Sequence, residues 1–272
     1  MLVKSDKQEN KKEMSFIDHL EELRWRLVRV AIVIVVGAVV IFANTELIIN
    51  NVFLTMKDTD FFTYRGLCFI SKTLGIGETL CASEIRLNLQ SIKMTGQFST
   101  NIFFAIVGSV SCAFPYVFWE IWGFIKPALK AKEKKSAQGV VFFGSLLFFI
   151  GLLFGYFIIS PLCVQFFGNF TMSSTITNDF TISSYLSIIT TTTFFTGLFF
   201  LLPILIFILS KLDIVTPAFL KKYRRHAIVI ILVLSAVITP PDFISQVIVA
   251  IPVLVLYEVG IYVSKITVRK KD

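Results

Sequence analysis

Ser15-Phe-Ile-Asp-His-Leu-Glu-Glu-Leu-Arg-Trp-Arg-Leu27 stands directly ahead of the first long apolar run, which ends at Ala43. Phe16, Leu20, Leu23 and Leu27 recur at spacings of four, three and four, one face of a 3.6-residue period. The stretch therefore reads as an amphipathic helix leading into a membrane span. Ser15 can cap it, and Asp18 adds an anion where the helix dipole favours one. On the polar face acids lead and bases follow. Glu21 with Arg24, and Glu22 with Arg26, can pair along the surface. Such pairs are common and weak on exposed helices, so the plain reading is a solvated face that positions the next span.

Composition carries the membrane reading to the whole chain. Of 272 residues, 55% are hydrophobic and 29 are Phe, and mean hydropathy is +0.78. Charged residues make up 16%, against roughly 25% in soluble domains. This is a polytopic membrane protein, not a soluble domain with one anchor. No cleavable signal peptide is expected, because a polar, partly acidic segment precedes the first apolar run.

The fold expected is an all-α bundle of six transmembrane helices, with an amphipathic N-terminal helix and short last two spans. Residues 1–13 are charged, lack apolar periodicity and read as a disordered tail. Residues 14–265 form the membrane domain, and 266–272 a basic tail. The spans fall at about 27–43, 97–119, 138–159, 184–210, 227–238 and 243–263. Between the first two lies a long polar loop, about 48–95, with short helices in it. The fifth apolar run, Ala227 to Ile238, has about 12 residues and is roughly 18 Å long, short of the roughly 30 Å hydrocarbon core. Either Tyr223 to His226 extend it with snorkelling bases, or the bilayer thins there. Pro252 is expected to kink the sixth span.

Orientation follows from the bases. With six spans, 21 of the 26 Lys and Arg residues lie on one side, and the other five all lie in the 48–95 loop. The positive-inside rule puts both termini in the cytoplasm. It also accounts for the net charge of +8 without a nucleic-acid partner.

No catalytic constellation stands out, so no enzyme activity is expected. There is no Gly-rich Lys-Ser/Thr phosphate loop. His19 and His226 flank different spans, and no metal site or cofactor is expected. Cys112 and Cys163 read as small packing residues. Cys68 and Cys81 share the outer loop, where a disulfide is plausible in an oxidising compartment. Gly151 and Gly155 let another helix approach closely, with packing inside this chain the simpler use. The hydroxyls of Ser183, Ser184, Ser187, Thr190 to Thr193 and Thr196 either bond back to their own helix or line a hydrated pocket. Acids at membrane depth are expensive and so are functional candidates: Glu120, Glu258 and Asp242. Asp242, after Pro240-Pro241, can also cap the sixth helix, and Glu133 among lysines reads as a surface ion pair.

Three separate strings coincide with one family. Phe16-Ile-Asp-His-Leu-Glu-Glu-Leu-Arg-Trp-Arg-Leu27, Trp122-Gly-Phe-Ile-Lys-Pro-Ala-Leu129 with Glu133 following, and Thr239-Pro-Pro-Asp-Phe-Ile-Ser-Gln246 resemble the TatC family, the multi-span signal-peptide receptor of the twin-arginine protein translocase. Ala250-Ile-Pro252 and Tyr257-Glu-Val-Gly260 continue the resemblance, which covers roughly 14–265. It implies binding of twin-arginine signal peptides on folded cargo. Export across the bacterial cytoplasmic membrane, driven by the proton-motive force, is implied as well. The implied partners are TatA- and TatB-like single-span subunits, further copies of the chain and membrane lipid. Glu22 and Glu133 match the acids of signal-peptide binding, Arg24 and Phe124 match further positions of that surface, and Asp242 matches the outer-turn acid. One departure is clear: where the family carries Glu before the proline of the fourth span, this chain has Leu201 in Phe200-Leu-Leu-Pro203. The alternative function, a small-solute secondary transporter, predicts an inverted repeat that the sequence does not display.

Overall fold

The structure is a computed structural model and describes residues 16–58, 61–73, 88–126, 139–173, 178–238 and 243–269. Helix α1 (Phe16–Ala43) runs without a break from the amphipathic stretch through the first apolar run. A short helix α2 (Thr45–Ile48), a π turn (Ile49–Phe53) and a 3-10 turn (Leu54–Lys57) follow, then α3 (Phe62–Thr73). Strand β1 (Asn88–Gln90) precedes α4 (Gly96–Ile125). The third span is built from α5 (Val140–Phe154), a π turn (Gly155–Ile159) and α6 (Ser160–Asn169). Strand β2 (Asp179–Thr181) pairs in parallel with β1, Leu89 opposite Phe180. The fourth span is α7 (Ile182–Phe199) and α8 (Leu202–Lys211), followed by α9 (Pro217–Lys222), α10 (Arg224–Ile238) and α11 (Phe243–Arg269).

Local chemistry accounts for several boundaries. The Thr181 hydroxyl accepts from the Ser184 N–H at 3.2 Å, and the Thr216 hydroxyl from the Phe219 N–H at 3.2 Å, each capping a helix. Pro203 follows the break between α7 and α8, where its missing N–H costs nothing in a first turn. Pro115 and Pro252 lie inside α4 and α11 without ending them.

Among the described residues, five helical stretches are long and apolar enough to cross a membrane: Leu20–Ala43, Gly96–Ile125, Val140–Asn169, Ile182–Lys211 and Gln246–Val268. The remaining apolar run is α10, which takes in Arg224 to His226 and reaches 15 residues, about 22 Å. The last span is not short, as the sequence reading expected. α11 has 27 residues, about 40 Å, and continues into the basic tail as far as Arg269. A run of apolar residues measures only the greasy part of a helix; its polar ends stay helical because their backbone bonds lie within the chain.

The helices pack through small residues. A Cβ on Gly37 would lie 2.3 Å from the Ser109 hydroxyl, which donates to the Ile34 carbonyl at 2.7 Å and joins α4 to α1. Gly151 and Gly155 face the fourth span, close to the Gly197 and Thr193 backbones, so the motif serves packing inside this chain. Of the hydroxyls on α7, Thr191 and Thr196 bond back to the carbonyls of Ser187 and Thr192, and Thr193 meets Ser160 at 3.2 Å. Thr190 is buried, and its hydroxyl has no hydrogen-bond partner.

At the end of the bundle where α2 and α3 lie, called the cap end below, the chain folds back between the spans. Phe53 and Met56 are buried with Phe104, Val164, Tyr185 and Ile189. Tyrosines bond the carbonyls of the π and 3-10 turns: Tyr156 donates to Val52 at 2.6 Å and Tyr185 to Phe53 at 2.7 Å. Tyr64 shares its hydroxyl between Met56 and Pro161, each at 3.1 Å, and burial pushes its phenol pKa up. This part of the expected 48–95 loop is therefore bundle core.

Candidate functional site

Glu22, Arg26 and Arg29 recur at steps of four and three on α1, so they share one stripe. Tyr116, Glu120 and Gly123 repeat the same spacing on α4. The two stripes meet at the end of the bundle opposite the cap.

Glu120 is the centre of the meeting point. Its side chain is 1% exposed. One carboxylate oxygen, Oε2, accepts from Arg26 Nη1 at 2.8 Å. The other, Oε1, accepts from the Tyr116 hydroxyl at 3.1 Å and lies 3.4 Å from Arg29 Nε. A carboxylate this deep requires counter-charge and donors, and it has both. Arg26 turns its remaining edge to Glu22. Its Nε and Nη2 approach the same oxygen, Oε1, at 3.1 and 2.6 Å. Arg26 thus bridges the two acids through the planar fork that Lys lacks. Gly123 leaves room for this: a Cβ there would lie 2.3 Å from Arg26 Nη1. Glu22 Oε2 is different. It is buried and has no hydrogen-bond partner, so one acceptor of a charged group is left unused.

The structure sorts the sequence-predicted residues. Glu22 and Glu120 are brought together, and the Glu22–Arg26 pair forms as the spacing suggested. Among the described residues no Glu21–Arg24 pair forms; the Arg24 guanidinium instead sits 5.7 Å from the Trp25 ring centroid. Phe124 follows Gly123 on α4 at the same end and is half-buried. Glu258 meets Arg224 at 2.6 Å in a pair about half exposed on each side, a weak surface contact between α11 and α10. Leu201 caps α8 at the break in the fourth span. Cys68 is disulfide-bonded, whereas Cys112 and Cys163 form no disulfide. Glu133, Asp242 and Cys81 lie outside the described residues.

Arg29, Tyr116 and Gly123 were missed as a unit by sequence reasoning. Their signal was the repeated four-and-three spacing on two segments, which has meaning only once α1 is known to face α4.

Comparison with known proteins agrees with this fold. The family model described as Sec-independent protein translocase protein (TatC) matches residues 18–252. A relative from Blattabacterium, named Sec-independent protein translocase protein TatC, is 36% identical over 96% of this chain and 98% of its own length. One of the same name from Halalkalibacterium halodurans is 31% identical over 96% of this chain and 93% of its own. A crystal structure of the twin arginine translocase receptor TatC is similar with a TM-score of 0.65 and 27% identity, over 92% of this chain and 99% of that one. The chain therefore belongs to the TatC family of Sec-independent protein translocase subunits, multi-span proteins of the bacterial membrane.

Proposed function

We propose that this chain is the receptor subunit that binds twin-arginine signal peptides and helps export folded cargo, using the proton-motive force. The observation that carries the reading is Glu22. One of its oxygens already holds a guanidinium edge-on, and the other is buried without a partner. A second guanidinium supplies what that oxygen lacks, with charge-assisted hydrogen bonds. Glu133 is proposed as the second acid, with Arg24 and Phe124 on the same surface. Asp242 is proposed to act at the opposite turn. TatA- and TatB-like single-span subunits and further copies of this chain are the proposed partners. Membership of a translocase family leaves the small-solute transporter without support.

The proposal includes six spans with both termini cytoplasmic. The distribution of bases supports it, as does the apolar exposed side of α10, formed by Val229, Ile230, Val233 and Leu234. A helix of 15 residues then crosses where the bilayer thins.

The test is binding of a twin-arginine peptide, and of its twin-lysine counterpart, to the full chain in lipid nanodiscs. Glu22→Gln is expected to weaken the arginine peptide roughly 10- to 100-fold, as for a lost charged hydrogen bond. Glu133→Gln is expected to act in the same direction. The twin-lysine peptide should bind weakly to all forms. Equal affinity of the wild type and both variants for the arginine peptide would remove the site. The Cys68 bond is proposed to close on Cys81. Peptide mapping without reductant should recover the linked pair, and free thiols at both positions would exclude it.

A further inference from the structure

Helix α3 has two unlike sides. On one, Thr63 and Tyr64 are buried. The Thr63 hydroxyl donates to the Phe157 carbonyl. Four residues on stands Pro161, whose missing N–H removes the α-helical donor for that carbonyl. The Tyr64 hydroxyl reaches the carbonyl of Pro161 itself at 3.1 Å, and Phe61 stacks on Phe157 with centroids 6.1 Å apart. Cys68, one turn beyond Tyr64, adds a disulfide tether.

These contacts set the depth of the helix. Phe157 and Pro161 belong to the span Val140–Asn169. They lie about 18 and 12 Å inside its cap end, at 1.5 Å per residue. A helix of about 45 Å overhangs a hydrocarbon core of roughly 30 Å by about 7 Å at each end, which leaves Pro161 about 5 Å and Phe157 about 10 Å below the cap-end boundary, the depth range of an interfacial helix. α3 is therefore held near the boundary of acyl chains and headgroups.

The other side of α3 is open. Phe62 is 78% exposed and Phe69 73%. They are seven residues apart and share one stripe. Arg65 and Lys72, also seven apart and exposed, lie about 60 degrees round the helix from them. Among the described residues neither base is within ion-pair distance of a carboxylate. Two aromatics flanked along one edge by two bases match a helix lying in the membrane interface.

We infer that α3 is an interfacial lipid-binding helix: Phe62 and Phe69 enter the acyl chains of the cap-end leaflet, and Arg65 and Lys72 hold the phosphates of anionic phospholipids. The long stems of the two bases let their charges rise to the phosphates while the rings stay below. The lipid contact and the Pro161 contact then hold α3 from opposite sides.

The test uses the full chain in vesicles of phosphatidylethanolamine and phosphatidylglycerol, roughly three to one. p-Benzoyl-phenylalanine replaces Phe62 or Phe69, one position at a time, and is activated by light. Mass spectrometry is expected to find phospholipid adducts at both positions, with phosphatidylglycerol enriched several-fold over its share of the mixture. In the R65Q/K72Q variant the adducts should persist and the enrichment should vanish. Absence of lipid adducts at both positions, or adducts to protein alone, overturns the proposal. Adducts in mixture proportion, unchanged by R65Q/K72Q, overturn the assignment of the bases to headgroups.

Discussion

Glu120→Ala should lower the melting temperature of the detergent-solubilised protein by roughly 6 to 12 °C, corresponding to about 3 kcal/mol. The carboxylate is 1% exposed and neutralises Arg26 from α1, with Arg29 beside it. Removing it leaves two guanidinium groups facing a pocket that contained their counter-ion. Breaking a buried pair costs about 3–5 kcal/mol, and two features put this case at the lower end. Arg26 keeps Glu22, and Arg29 is half exposed and can turn to water. Glu120→Gln should cost about half as much, because the amide oxygen still accepts one bond while its NH2 meets a donor. The effect should reach the proposed ligand site as well. Arg26 freed from Glu120 can close on Glu22 Oε2, so peptide affinity should fall although Glu120 itself is not proposed to touch the peptide. A melting temperature within a degree or two of wild type for Glu120→Ala would mean that the α1–α4 contact does not depend on this network.

The second large effect is expected at Gly155→Val. A Cβ there would lie 2.9 Å from the Thr193 Cα and 3.1 Å from its carbonyl oxygen. These are backbone atoms, so no rotamer change relieves the clash and the third and fourth spans must move apart. Overpacking of this kind costs about 1–3 kcal/mol, and here the upper end is expected. Gly151→Val should add to it, since its Cβ meets the Gly197 Cα at 2.9 Å. Gly66→Ala is the control. Nothing lies within 4 Å of a Cβ at that position, inside α3. Removing a helical glycine there should be neutral or stabilising by about 0.5–1 kcal/mol. Thermal melting of the three variants separates helix propensity from helix contact. Equal melting of Gly155→Val and Gly66→Ala would sink the packing argument.

Particular residues mark how far the sequence could be read. Glu22 was legible because its spacing to Arg26 is local, and an i,i+4 pair forms on any helix. Glu120 was legible as an expensive acid at membrane depth, but its partners were not. Tyr116 lies one turn away on the same helix, but Arg26 and Arg29 reach Glu120 only because α1 faces α4, with Arg26 and Glu120 94 residues apart in the chain. The end of α11 was misjudged because hydropathy reports where a helix is greasy, whereas helicity continues through Arg269. The fold-back of residues 45–57 was missed for a related reason. Its turns are irregular, and their carbonyls are bonded by the distant Tyr156 and Tyr185 and by the nearer Tyr64.

What the sequence alone determined, then, is what depends on local or summed chemistry: a multi-span membrane protein, its apolar runs, the lopsided placement of its bases, and the Glu22–Arg26 pair next to the first span. Tertiary structure decided which acid is buried. Glu22 stands among other charges on an amphipathic stretch, and Glu120 alone among apolar and aromatic residues, but neither setting names the partners. Only the packing of α1 on α4 takes Glu120 out of solvent and leaves one oxygen of Glu22 without a donor. Burial depends on what covers a group, and here the cover comes from a helix that local sequence does not specify.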